Sequence, residues 1–265
     1  MLVLPPLSLY IHIPWCVQKC PYCDFNSHAL KNEIPHQQYV DALLEDLTQD
    51  LAHVQGRKLN TIFIGGGTPS LLEPTQMKRL LDGVKQLIDC PDDMEITMEA
   101  NPGTVESGRF AQFQQAGITR ISIGVQSFQV DKLTILGRIH DGNEAINAAK
   151  QAASLDLQSF NLDLMHSLPQ QQITDALADL KQAIVLDPPH LSWYQLTIEP
   201  NTKFHSKPPT LPDDEILADI FDEGRQVLSD AGYVQYEISA FSKPGFQCQH
   251  NLNYWRFGDY LGIGC

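Results

Sequence analysis

At 265 residues the chain has room for one large domain or two small ones, and its apolar fraction of 43% is ordinary for a globular protein. A formal charge of −14, from 32 acidic against 18 basic residues, argues against nucleic acid as a partner, because phosphate binding needs clustered lysine and arginine. No apolar stretch approaches the ~18 residues of a membrane helix, and Met1 to Leu9 lacks the basic start and long apolar core of a secretory signal, so a cytoplasmic, non-spanning protein with reduced thiols is expected.

In chain order, Leu7–Ile13 is an apolar run ending at Pro14 and predicts a buried strand. Cys16, Cys20 and Cys23 follow at once, spaced C-x3-C-x2-C. Three thiolates are one short of a closed structural zinc site or a four-cysteine iron–sulfur cube. A cube held by three cysteines keeps one iron open to a ligand that is not protein. Zinc completed by His12, Asp24 or His28 competes with this reading, as do a disulfide and three unrelated buried cysteines. A reducing cytosol weighs against the disulfide, Pro14 and Pro21 weigh against plain core packing, and soft thiolates suit iron–sulfur chemistry. Tyr10 and Tyr22 bracket the loop, placed either to pack against an adenine or to fill core.

His36–Val54 sets Tyr39, Leu43, Leu44, Leu47 and Leu51 at helical spacing. Asn60–Ile64 predicts a second strand stopped by Gly65, Gly66 and Gly67. Gly65-Gly66-Gly67-Thr68-Pro69-Ser70 is neither a dinucleotide fingerprint nor a P-loop. It is either a backbone cradle for an amino acid moiety or a flexible turn. Pro74–Leu87 predicts a helix, Glu95–Ala100 a strand, and Glu106–Ala116 a helix closed by Gly117, the residue suited to a left-handed cap. Arg120–Val125 is a fourth strand, Asn143–Ser154 helical, Ser159–Leu164 a fifth strand, Ile173–Leu186 helical and His190–Thr197 a sixth strand.

Each predicted strand delivers polar or special residues at its C-terminal end: the cysteines, the glycines with Thr68, Glu99, Gln126, Asp163, and finally Gln195, Thr197 and Glu199. Parallel strands that converge their C-terminal ends on one mouth make a barrel, and six units leave it incomplete. The expected fold is therefore α/β, a partial (β/α)6 TIM-like barrel. Glu99 and Asp163 are candidates for ribose hydroxyls or an ammonium group, and Arg138 for a carboxylate, with Gln126 able to bond either. A structural Glu99–Arg138 ion pair is the alternative.

From Pro208 the texture changes, which divides the chain at 1–207 and 208–265. Pro212–Ala231 predicts a helix and Tyr233–Ser239 a strand, followed by a loop rich in Gly, Gln, Asn and aromatics. The chain stops at Gly262-Ile-Gly-Cys265, which reads as a cut within a structure, with only the start of a C-terminal domain present. His250-Asn-Leu-Asn-Tyr-Trp255 puts an imidazole among flat apolar side chains outside the barrel core, apt for haem or for a hydrogen-bonded histidine in an aromatic loop.

The combination resembles the radical S-adenosylmethionine superfamily of the radical SAM type, and within it the oxygen-independent coproporphyrinogen III oxidase-like family. The residues that carry this are His12–Phe25, Gly65–Ser70, Glu99–Pro102, Ile123–Phe128, Leu136–His140 and Asn161–Met165. The resemblance implies a [4Fe-4S] cluster on Cys16, Cys20 and Cys23. It also implies an S-adenosyl-L-methionine pocket using Tyr10, Tyr22, Gly66, Gly67, Thr68, Glu99, Gln126, Arg138 and Asp163. Two branches compete. The oxidase branch carries a further cysteine two residues after the third and a long N-terminal extension; here Phe25 occupies that position and 15 residues precede Cys16. The haem-chaperone branch shares the Cys-Asp-Phe ending, the short N-terminus and the His-Asn-x-x-Tyr-Trp motif. That branch implies haem as ligand, His250 as the haem-associated residue, and an acceptor protein that the sequence does not identify, membrane-associated acceptors included. It also implies a full chain that runs past residue 265. Whether the chain is an enzyme stays open, with porphyrinogen oxidase activity disfavoured.

Overall fold

The computed structural model describes residues 4–265, so the first three residues of the Met1 to Leu9 reading lie outside the described residues. Six parallel strands form in the predicted order: β1 (Leu7–Ile13), β2 (Leu59–Gly66), β3 (Glu95–Ala100), β4 (Arg120–Gln126), β5 (Ser159–His166) and β6 (His190–Gln195). Three more join the same sheet: β7 (Val234–Gln235), β8 (Ala240–Ser242) and β9 (Asp259–Ile263). The strand order is β9-β1-β2-β3-β4-β5-β6-β8-β7, parallel from β9 to β6 and antiparallel beyond. The two ends of that order are not bonded to each other, so the barrel is partial.

Strand alternation explains which residues face where. In β1, Leu7, Leu9, Ile11 and Ile13 are solvent-free and lie on the core side with helix residues Val40, Leu43 and Leu47. Ser8, Tyr10 and His12 alternate onto the inner face. The same period places Phe160, Leu162 and Leu164 of β5 in the core and Asn161 and Asp163 inside, and it places Leu191 and Trp193 of β6 in the core and His190, Ser192 and Tyr194 inside. Inner side chains bond to one another across strands, as Ser122, Asn161, Asp163 and His190 do. The barrel interior is therefore polar, whereas the strand–helix layer is apolar.

Helices His36–Val54 and Pro74–Leu87 match the expected bounds, and the Phe110–Ala116 helix ends on Gly117 at φ 113° as its sequence implies. Several expectations need correction. Gly65 and Gly66 continue β2 rather than stop it. A short helix, Val130–Ile135, precedes Gly142–Ala153. The single strand expected over Tyr233–Ser239 is two short ones on either side of a turn. The loop after β8 contains a helix, Gln249–Trp255, followed by β9, which pairs with β1. Neither has a local hydrophobic period, and both form through partners far away in the chain. Among the described residues no helix is long and apolar enough to cross a membrane.

Candidate functional site

The cysteine loop leaves β1 at Pro14 and returns as Trp15–Cys16 pairs in parallel with His28–Ala29. Three contacts shape it. Cys23 N–H donates to the Cys20 carbonyl at 3.3 Å, Lys19 Nζ donates to the carbonyls of Phe25 and Ser27 at 2.9 and 3.0 Å, and His12 Nε2 lies 2.8 Å from the Asn26 carbonyl. A carbonyl only accepts, so His12 carries its proton on Nε2, and Nδ1 accepts from the Tyr10 hydroxyl at 3.0 Å. Tyr10 thus supports the loop from beneath. His28 Nε2 is likewise taken, by Asn26 Oδ1 at 3.0 Å. Two of the three candidate fourth zinc ligands already have partners.

All three thiols are free and line one cavity of about 440 Å³ at the C-terminal ends of the strands. Of the predicted site residues the cavity gathers every one except Tyr10 and His250: Tyr22, Gly66, Gly67, Thr68, Glu99, Gln126, Arg138 and Asp163 join the cysteines. It adds Asn101, Ser122, Tyr194 and Met165, which the sequence reading did not single out. Asn101 stood inside a quoted motif, and Ser122 and Tyr194 occupy inward positions that strand alternation alone would have marked.

Two glycines here serve the protein's own packing. A Cβ on Gly66, at φ 113°, would come 2.5 Å from the His12 ring, and one on Gly67 would come 2.5 Å from the Trp15 carbonyl. The triplet seats the cysteine loop against β2, so the flexible-turn reading gives way to a strand end. Gln126 sits at φ 67° where the β4–β5 register shifts, a conformation rare for a side-chain-bearing residue, and Tyr194 donates to its Oε1 at 2.8 Å.

Arg138 does not pair with Glu99. Its Nη2 donates to Asn101 Oδ1 at 2.6 Å and to the Gly124 carbonyl at 2.8 Å, and its Nη1 donates to Cys20 Sγ at 3.6 Å. Its Nε is buried and lacks a partner. Desolvation, and then the neighbouring Asp163, push the Glu99 carboxyl up to about 8, opposed by the Gly66 N–H at 3.2 Å. Asp163 is raised as well, first by burial, while Ser122, Ser192 and Asn161 oppose the shift. Burial also raises the Cys16 thiol.

This donor set fits the implied groups. Three soft sulfurs without a fourth protein thiol match a cube that gives each cysteine its own iron. The orphaned Arg138 Nε suits a carboxylate, and the inner carboxyls suit hydroxyl or ammonium donors. When bound, such a cluster supplies an open iron and an electron.

His250 lies at the opposite, N-terminal end of the strands and is 1% exposed, which corrects the expectation that it sits outside the core. The Glu95 carboxylate accepts from the backbone N–H groups of Gln249 at 3.0 Å and His250 at 3.1 Å and so turns this helix into the barrel floor. His250 Nδ1 is 2.8 Å from Thr61 Oγ1, its Nε2 is 2.9 Å from the Tyr254 hydroxyl, and its ring lies 5.1 Å from that of Phe63. Burial, then the Arg120 charge, lower its pKa to about 4, so the imidazole is neutral.

The Radical SAM superfamily model matches residues 10–180. The heme chaperone HemW of Escherichia coli is 68% identical over 265 residues, which cover 100% of this chain and 70% of that protein. The radical S-adenosyl methionine domain-containing protein 1, mitochondrial, of Bos taurus is 38% identical over 97% of this chain and 59% of its own length. Among solved structures, the coproporphyrinogen III oxidase (HemN) from Escherichia coli, a radical SAM enzyme, superposes with a TM-score of 0.85 at 27% identity, covering 98% of this chain and 64% of that one.

Proposed function

Since the chain belongs to the radical SAM superfamily and, within it, to the HemW family of haem chaperones, we propose that it binds haem and passes it to an acceptor protein while carrying a [4Fe-4S] cluster and S-adenosyl-L-methionine. The observation that carries this reading is the 68% identity, over the whole chain, to a protein named as a heme chaperone. Phe25 adds to it: the position where the oxidase branch places a further cysteine holds an apolar ring, 59% exposed, at the cavity rim. In this reading Cys16, Cys20 and Cys23 hold the cluster. Arg138 and Gln126 hold the cofactor's amino acid end against Gly66 and Gly67, with Glu99 and Asp163 on its ribose or ammonium. Thr68 and Tyr22 close the wall around it.

A second reading, a radical enzyme acting on a porphyrinogen, is supported by one feature: most of the residues that the resemblance assigns to the cofactor line one cavity with the cysteines. One experiment separates the two. Anaerobically reconstituted full-length protein is titrated with ferric haem and, in parallel, supplied with coproporphyrinogen III, cofactor and reductant. The chaperone reading expects saturable haem uptake, release to an added apo-acceptor and no decarboxylated product. Product formation, or no haem uptake, overturns it.

A further inference from the structure

We propose that Asn101 is a positioning residue for the iron–sulfur site: its side-chain amide holds the two groups, Arg138 and Thr68, that donate hydrogen bonds to the sulfurs of Cys20 and Cys16, and through them it sets the reduction potential of the cluster. The inference rests on the reading that Cys16, Cys20 and Cys23 hold a [4Fe-4S] cluster, and it adds a residue to that reading.

The placement follows from strand order. β2, β3 and β4 are neighbours, so Thr68 just beyond β2, Asn101 just beyond β3 and Gly124 of β4 come side by side in the cavity wall. Arg138 reaches them from the segment after the Val130–Ile135 helix. Proton counting then fixes the amide. A guanidinium only donates, so the Asn101 atom 2.6 Å from Arg138 Nη2 is the carbonyl oxygen Oδ1. The amide nitrogen faces the other way and donates to Thr68 Oγ1 at 3.1 Å, and it donates also to the buried Glu106 carboxyl. A flipped amide would set its nitrogen against the guanidinium, donor against donor.

Each partner passes the arrangement on to a sulfur. Having accepted from Asn101, the Thr68 hydroxyl keeps its own proton for another acceptor. The Cys16 sulfur is that acceptor, with Ser27 as its second donor, and both bonds oppose the upward push of burial on the Cys16 thiol. Arg138 Nη1 donates to Cys20 Sγ at 3.6 Å, while its Nη2 is held by Asn101 and by the Gly124 carbonyl at 2.8 Å. Hydrogen bonds to cluster sulfurs raise the reduction potential, because they stabilise the added negative charge of the reduced cluster. A hydrogen bond to a charged group shifts an equilibrium by roughly tenfold or more, and tenfold is about 59 mV for one electron. A residue that merely stiffened the Asn101-Pro102-Gly103 turn would change stability and leave the potential alone.

Potentiometric titration of the anaerobically reconstituted full-length protein, followed by the electron paramagnetic resonance signal of the reduced cluster, tests this. It is run without S-adenosyl-L-methionine, and iron and sulfide are counted in each sample. Asn101→Ala is expected to lower the midpoint by about 59 mV or more, a roughly tenfold change in the reduced-to-oxidised ratio. Thr68→Val lowers it by less, and the double variant falls no further than Asn101→Ala alone, since Thr68 is already released there. Asn101→Leu, close in size and uncharged, stands in where Asn101→Ala does not hold the cluster. An unchanged midpoint in a fully loaded Asn101 variant, or additive falls in the double variant, overturns the inference and leaves the cluster reading standing. Wild-type protein that does not take up about four iron and four sulfide per chain overturns both.

Discussion

At the C-terminal ends of the strands the chain gathers its polar groups around an open cavity, and at the N-terminal ends it packs a helix across them. The upper cavity holds three free thiols, a partnerless guanidinium nitrogen on Arg138, two carboxyls raised by burial, and a left-handed Gln126. The floor holds Glu95 accepting from two helix N–H groups, and His250 with both nitrogens bonded. The upper end thus presents its polar groups to a space that a ligand can enter. The floor is closed by the 249–255 helix, although Arg120 Nε and Ser159 Oγ are buried there without partners, a cost that the surrounding packing carries.

The largest expected effect tests whether the two ends work separately. Cys20→Ala is expected to take iron from about four per chain to none, with haem uptake unchanged. Iron and sulfide analysis and haem titration of the same sample check this, and loss of haem binding would show the ends to be coupled.

Next in size is the floor's own anchor. Glu95→Ala removes the acceptor of two backbone N–H groups and a charge facing the buried Arg120, and it is expected to cost about 2 kcal/mol in a denaturant titration. Glu95→Gln, which keeps one acceptor oxygen, should recover part of that loss. An unchanged midpoint would mean the helix is held by its apolar contacts alone.

The smallest effect is a difference in pH response. Glu99 has its pKa raised from 4.5 to about 8 in the folded chain, so between those values the folded state binds the proton that the unfolded state has lost. Its contribution is therefore highest below pH 4.5 and declines as pH rises toward 8. His250 is lowered from 6.5 to about 4, so its contribution is present above pH 6.5 and is lost as pH falls toward 4. In the cofactor-free protein, Glu99→Gln should flatten the alkaline decline and His250→Gln the acid one. Midpoints measured across pH 4 to 8 check both, and a single variant that flattened both limbs would break the contrast.

Much of the upper end was legible in the chain. The triad, the glycine run and the polar residues at successive strand ends are local patterns, and six strand–helix alternations bring such ends to one mouth whatever the details of packing. That is why Tyr22, Gly66, Gly67, Thr68, Glu99, Gln126, Arg138 and Asp163 meet the cysteines in one cavity. Tyr10 escaped because it lies on the inner face two residues before His12, and only the folded loop shows that its hydroxyl serves that ring. The floor was not legible. The 249–255 helix is fixed by Glu95, 155 residues from His250 in the chain, and the imidazole by Thr61, 189 residues away.

The amino-acid sequence by itself determined the barrel class, the order of the six central strand–helix units and many of the residues that line the upper cavity, because periodicity and short motifs act over a few residues. Only the tertiary structure decided that the final strand pairs with β1 and that the histidine motif lies beneath the barrel. Those outcomes depend on hydrogen bonds and burial between segments with no local pattern in common, and no window of the sequence contains both partners.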